Sequence, residues 1–307
     1  MLKNSILLNA VQLIRFTGLL SAILFNNVLT QPQFPSPLLD HTRTHERIQT
    51  EEFSGATFQI ESLFPKPVEV YLPQRNHGMD SVRLLIHFHG AAYVPIYAVE
   101  NSQLSYVLVN IQLGSGSAVY ENAFSADGTL SRLITSVRDS LSVVSSSGIR
   151  FSEIYLSSFS AGYGAIRAIL SQPDAERLVS GIVLLDGLHT DYLPEKQHLT
   201  EGGSLNTDKL APFLNYARLA MEGRVHFVIT HSEIFPGTYA STTETADYLI
   251  QACHLSRKAV LKWGVLGMQQ LSETQEGNFI VLGFAGNSAP DHIDHFHALF
   301  HFLNYLE

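Results

Sequence analysis

Five short, nearly continuous apolar runs constrain this chain more than anything else in it: Val82–Phe88 (VRLLIHF), Tyr106–Leu113 (YVLVNIQL), Gly181–Leu185 (GIVLL), Val225–Ile229 (VHFVI) and Phe279–Gly283 (FIVLG). Each is too short for a core helix and lacks the polar–apolar alternation of a strand with one wet face. Strands apolar on both faces must be covered on both faces, so they predict a mostly parallel, twisted sheet with helices on either side. Helical patterns fall between them. Apolar residues at 130, 133, 134, 137, 141 and 144 line one face of a helix over 129–144. Similar patterns occupy Gly162–Leu170, Thr243–Cys253 and His292–Leu306, and Glu153–Ser157 reads as a further short strand. Thr57–Glu61 and Val68–Leu72 alternate with period two around Pro65 and Pro67, which suggests an antiparallel opening hairpin. Only 15% of the residues are charged against 45% hydrophobic, below the roughly 25% charged of a typical soluble domain, in keeping with a large core.

The arithmetic of charge, 19 Lys+Arg against 28 Asp+Glu, gives −9 with no basic run, which argues against a nucleic-acid partner. Cys253 is the only cysteine, so neither an intrachain disulfide nor a thiolate zinc cluster can form. Residues 1–30 carry Lys3, apolar stretches at Ile6–Ile14 and Phe16–Phe25, and a polar exit at Asn26-Asn27. This reads as a signal peptide or membrane-targeting segment, and the expectation is a secreted or periplasmic protein. An uncleaved anchor would place Arg15 in the bilayer at a cost of about 2.5–3.5 kcal/mol. Membrane contact would then come only through this segment. Residues 31–52, with three prolines, read as a linker, and residues 53–307 as one domain with an irregular insertion at about 187–210.

The segment with chemical character is Ser157-Ser-Phe-Ser160-Ala161-Gly162, at the end of a strand and the start of a small-residue helix (Tyr163-Gly164-Ala165). It resembles the nucleophile elbow G-x-S-x-G of the α/β-hydrolase superfamily, serine esterases included, with Ser158 in place of the first glycine. A second element is the strand ending Ile86-His87-Phe88-His89-Gly90-Ala91, and a third is Ala289-Pro-Asp-His292-Ile-Asp-His295-Phe-His297 after the last apolar run. The resemblance spans about residues 57–307 and implies an α/β-hydrolase fold, with Ser160 as nucleophile and the backbone N–H groups of Ala91 and Ala161 as an oxyanion hole. It places the base in the third element, where His292 is preferred to His295 by position. For the acid, the commonest placement in the superfamily points to Glu233. Asp186, directly at a strand end and followed by Gly187, resembles the members that place it one strand earlier, and is preferred.

The resemblance implies no cofactor and a small-molecule, carbohydrate or lipid ester as substrate. It says nothing of oligomeric state. Tyr93, Tyr97 and Tyr120, near strand ends, are candidates for shaping an acyl pocket, with packing as the alternative role. Two other classes stay open. One is a metallohydrolase built on His87, His89, Asp291, His292, Asp294 and His295, although His89 is followed by Gly-Ala-Ala rather than x-D-H. The other is a hydrolase-fold protein that binds without catalysis.

Overall fold

The structure, a computed structural model, describes residues 44–144 and 149–306. The segment expected to direct export and most of the expected linker lie outside the described residues. The chain forms β1 (Ala56–Ile60), β2 (Val68–Leu72), β3 (Ser81–Phe88), β4 (Tyr106–Ile111), β5 (Arg150–Phe159), β6 (Gly181–Leu185), a two-stranded β7 (Tyr192–Leu193) and β8 (Ser204–Leu205), then β9 (His226–His231), β10 (Lys258–Trp263), β11 (Gln269–Glu276) and β12 (Phe279–Phe284). Ten of these make one sheet in the order β1-β2-β4-β3-β5-β6-β9-β12-β11-β10. From β4 to β12 every neighbouring pair is parallel, and the expected opening hairpin, β1 on β2, is antiparallel.

The strands are apolar throughout because both faces are covered. Leu84, Ile86 and Phe88 of β3 point into one core. The helices α2 (Ser117–Phe124), α3 (Thr129–Val144), α4 (Tyr163–Leu170), α6 (Ala211–Met221) and α7 (Thr242–Ala252) contribute to it. Leu85 points the other way, to a core shared with α1 (Tyr93–Glu100) and with the C-terminal helices α8 (Ala289–His297) and α9 (Leu299–Phe302). The short α5 (Ala175–Leu178) precedes β6. This is the α/β-hydrolase fold. The sheet order, the strand–turn–helix at Ser160 and the helix after the last parallel strand all follow its plan.

Three local readings of the sequence are corrected. The antiparallel pair β10–β11 was not expected: β10 exposes nearly every residue, including Leu261 and Trp263, and a sheet edge need not be apolar on both faces. The last helix starts at Ala289 rather than His292, because Ser288 caps it. Ser288 Oγ accepts from Asp291 N, and Asp291 Oδ2 accepts from Ser288 N at 3.0 Å and Oγ at 2.6 Å. His292 therefore stands in the first turn of α8 and not in a loop. The helix pauses at Ala298 before α9.

The stretch from Thr44, read as the tail of a linker, is anchored. His45 Nδ1 lies 2.9 Å from Asp294 Oδ2, and the Arg47 guanidinium donates to Asp294 Oδ1. Arg47 Nη2 also donates to Pro290 O at 2.8 Å, and Ile48, itself buried, donates its N–H to His297 Nδ1 at 3.0 Å.

Candidate active site

Ser160 follows the last residue of β5 and has φ +46°, a left-handed conformation that costs a non-glycine residue of order 1–3 kcal/mol. Such strain persists only where the surroundings enforce it. Here the turn is wedged on two sides. A Cβ at 162 would collide with the Phe88 carbonyl of β3, so only glycine lets the helix start against that strand. A Cβ at 187 would lie 2.6 Å from Ser160 N and 2.5 Å from Ser160 O, so Gly187 brings the end of β6 hard against the Ser160 turn. Ser158, at the first-glycine position of the elbow motif, is fully buried beside Phe88 and Leu184 in the register of the sheet.

Asp186 directly follows β6, with φ +43°, and is 2% exposed. Its carboxylate accepts four hydrogen bonds. Oδ1 takes Ser232 N–H at 2.9 Å and Thr242 Oγ1–H at 2.6 Å; Oδ2 takes Ser232 Oγ–H and His292 Nδ1–H, both at 2.7 Å. Burial alone would push this carboxyl up. The charges of His295 and His292 and the hydrogen bonds from His292 and Thr242 outweigh it and hold the group well below the ordinary carboxylate range. Because a carboxylate can only accept, the bond to His292 fixes the proton on Nδ1 and leaves Nε2 as the ring's acceptor in the neutral form. The ring also packs on Phe159, with centroids 4.5 Å apart, and Phe159 stacks on Phe296 of the same helix.

Ser160, Asp186 and His292 border one cavity of about 420 Å³, together with His189, Ile234, Pro236, Tyr239 and Thr242. A second cavity of about 360 Å³ also borders Ser160, lined by Ala161, Ser117, Tyr163, Thr190 and Asp191. His189 and Tyr239 border both. The insertion after β6 thus contributes His189, Thr190 and Asp191 to the walls.

The other candidates lie elsewhere. Glu233 is exposed and borders a different cavity with His231, Arg257 and Phe284, where its Oε2 accepts from Gly286 N at 3.4 Å. His295 is buried with Nδ1 2.8 Å from Thr230 Oγ1. Tyr120 is buried in α2, its hydroxyl taking the N–H of Leu113; Tyr93 packs on His297 and Tyr97 on Phe53 and Phe300. None of the three borders the two cavities at Ser160.

The histidines suggested as metal ligands are committed to other partners. His87 Nε2 donates to His89 O at 3.0 Å and its Nδ1 meets Ser157 Oγ at 2.8 Å, while burial lowers its pKa to about 3. His89 takes φ +71°, stacks on Phe159 and meets Tyr120 through Nδ1, so it ties down the loop that leads to Ala91.

Sequence reasoning did not find Ser232, Thr242 or His189. Ser232 reaches Asp186 because β6 and β9 pair with Leu185 opposite Thr230, which brings the ends of the two strands side by side. It stands one residue before Glu233, so the strand end to which the superfamily's commonest placement points supplies two donors to the Asp186 carboxylate, one strand earlier.

No protein-family model matches the chain, and no curated protein matches it. Among solved structures it is similar to a feruloyl esterase module from Clostridium thermocellum (13% identity, 86% of this chain and 97% of that one, TM-score 0.47). It is also similar to carboxyl esterase 2 from Tuber melanosporum (13%, 86% and 90%, 0.43) and to the S-formylglutathione hydrolase of Staphylococcus aureus (13%, 85% and 99%, 0.44).

Proposed function

We propose that the protein is a serine hydrolase that cleaves carboxylic esters through an acyl-enzyme. The observation that carries this reading is the Asp186–His292 hydrogen bond of 2.7 Å, facing the same cavity as a serine held at positive φ. In the acylation step His292 Nε2 takes the Ser160 hydroxyl proton as Oγ attacks the ester carbonyl, and Asp186 stabilises the imidazolium that forms. The oxyanion is received by the backbone N–H groups of Ala161 and Ala91. The imidazolium then protonates the leaving alkoxide oxygen. In the second half a water, deprotonated by His292, attacks the acyl-enzyme, and the carboxylic acid departs as Ser160 regains its proton. Among the described residues no lysine or arginine borders either cavity, which favours an uncharged ester over an anionic one.

Labelling with a fluorophosphonate tests the nucleophile. Wild-type protein is expected to form a covalent adduct at Ser160, and Ser160→Ala to remain folded, unlabelled and at least about 10³-fold less active on 4-nitrophenyl acetate. Labelling of the alanine variant, or unchanged turnover, would refute the reading. The apolar N-terminal segment supports an exported enzyme. N-terminal sequencing of native protein is expected to begin near Gln31, and an intact Met1 in a soluble cytoplasmic fraction would refute export.

A further inference from the structure

His189 is the one side chain with an uncommitted ring nitrogen, among the described residues, that borders both cavities without a part in the proposed proton transfer. It lies three residues beyond Asp186, and Gly187 presses the intervening backbone onto the Ser160 turn, so its place beside the nucleophile is imposed by the strand end. Its Nδ1 meets Ala240 O at 2.9 Å. A carbonyl oxygen only accepts, so Nδ1 carries the proton and the neutral ring presents Nε2 as a bare acceptor. Among the described residues no donor reaches that nitrogen. Burial favours the neutral form over the cation. The ring cannot easily turn: Tyr163 and Tyr239 meet it edge-on, with centroids 5.6 Å and 5.0 Å away.

We infer that His189 Nε2 is a specificity-determining acceptor for a hydroxyl group on the substrate, so that the preferred substrates are hydroxylated esters. The two cavities that both border Ser160 suit the two parts of an ester. A nitrogen shared by both can take a hydroxyl on a carbon near the scissile bond, whether it belongs to the acyl or the alcohol part. A substrate that lacks this hydroxyl leaves the acceptor facing apolar atoms, and it is disfavoured for that reason.

The inference rests on the ester-hydrolase reading, and its test separates the two. Hydrolysis is measured for two pairs of substrates that differ only in a hydroxyl: methyl 3-hydroxybutyrate against methyl butyrate for the acyl side, and 2-hydroxyethyl butyrate against ethyl butyrate for the alcohol side. Wild-type protein is expected to favour the hydroxylated member of one pair, by about tenfold in kcat/KM. The pair affected identifies the side. His189→Ala is expected to reduce that ratio to near one. His189→Gln, whose amide can still donate to Ala240 O and accept from the substrate, should keep a preference of at least threefold. Because the readout is a ratio, a general loss of activity from loosening the Tyr239 loop does not move it. A wild-type ratio near one in both pairs, or an unchanged ratio in His189→Ala, would overturn the inference while ester hydrolysis stands. Failure of wild-type protein to cleave any of the four esters would overturn the hydrolase reading and this inference with it. Should His189→Ala not fold, the wild-type ratios and the glutamine variant decide.

Discussion

Replacing Asp186 by asparagine changes one atom and has a defined structural outcome. The side-chain pocket offers two sets of partners. Oδ1 faces Ser232 N–H, a backbone donor that cannot become an acceptor, whereas Oδ2 faces Ser232 Oγ, a hydroxyl that can do either, and His292 Nδ1. The amide oxygen must therefore take the Oδ1 position, and the NH₂ group falls at the Oδ2 position, 2.7 Å from His292 Nδ1. Two donors cannot share that gap. His292 moves its proton to Nε2, and the nitrogen that should receive the Ser160 proton is already protonated. The imidazolium also loses the anion that stabilises it. A wrong tautomer of this kind costs on the order of 10⁴ in kcat in a Ser-His-Asp triad, or about 5.4 kcal/mol of transition-state stabilisation. The assay is the initial rate on a 4-nitrophenyl ester over a range of substrate concentrations, with circular dichroism and the thermal midpoint used to confirm folding. The fall should appear in kcat with KM little changed. An asparagine variant that folds like wild type and keeps more than a tenth of its kcat would refute the reasoning.

Three further predictions rest on other parts of the structure. Glu233→Gln should change kcat by less than about tenfold, because this carboxylate borders another cavity; a crippled Glu233→Gln beside an active Asp186→Asn would move the acid one strand later. Gly187→Ala should lower kcat on the order of 10²-fold, because the new methyl displaces the backbone of Ser160; an unaltered rate would show that the turn yields without cost. Acid should destabilise the fold from about pH 6.5 downward. Burial lowers the pKa of His87 to about 3 and of His231 to about 4, with Arg257 adding to the latter, so below 6.5 the unfolded chain binds protons that the folded chain refuses. Each group then removes up to about 1.4 kcal/mol per pH unit, His231 until about pH 4 and His87 until about pH 3. Urea midpoints that stay flat between pH 6.5 and 4 would contradict this.

The parts legible in the sequence are those set by local rules. The parallel strands show as apolar runs because burial on both faces leaves no room for alternation, and Ser160 shows because a strained strand-to-helix turn tolerates only small neighbours. Asp186 and His292 were found through chain order in a related fold, and the structure brings the two within 2.7 Å. What stayed hidden depends on contacts between distant segments. Ser232 becomes a partner of Asp186 only through the β6–β9 register, and nothing in the sequence around Thr242 marks it as a donor to a carboxylate 56 residues earlier. His189 looked like one polar residue of an irregular insertion until the tight approach of Gly187 placed it beside Ser160. The edge strand β10 and its neighbour β11 escaped notice because the solvated margin of a sheet carries no apolar signature.

The anchoring of residues 45–48 on α8 has a consequence in time. His45 and Asp294 are 249 positions apart, so during synthesis residues 45–48 lack these partners until nearly the whole chain exists. Closing a loop of that length carries a large entropic cost, and such distant contacts form late in folding. The helix they clasp carries His292. Ser160 and Asp186 can thus be in place on the sheet while His292 still waits for the C-terminal helix and for residues 45–48 that clasp it.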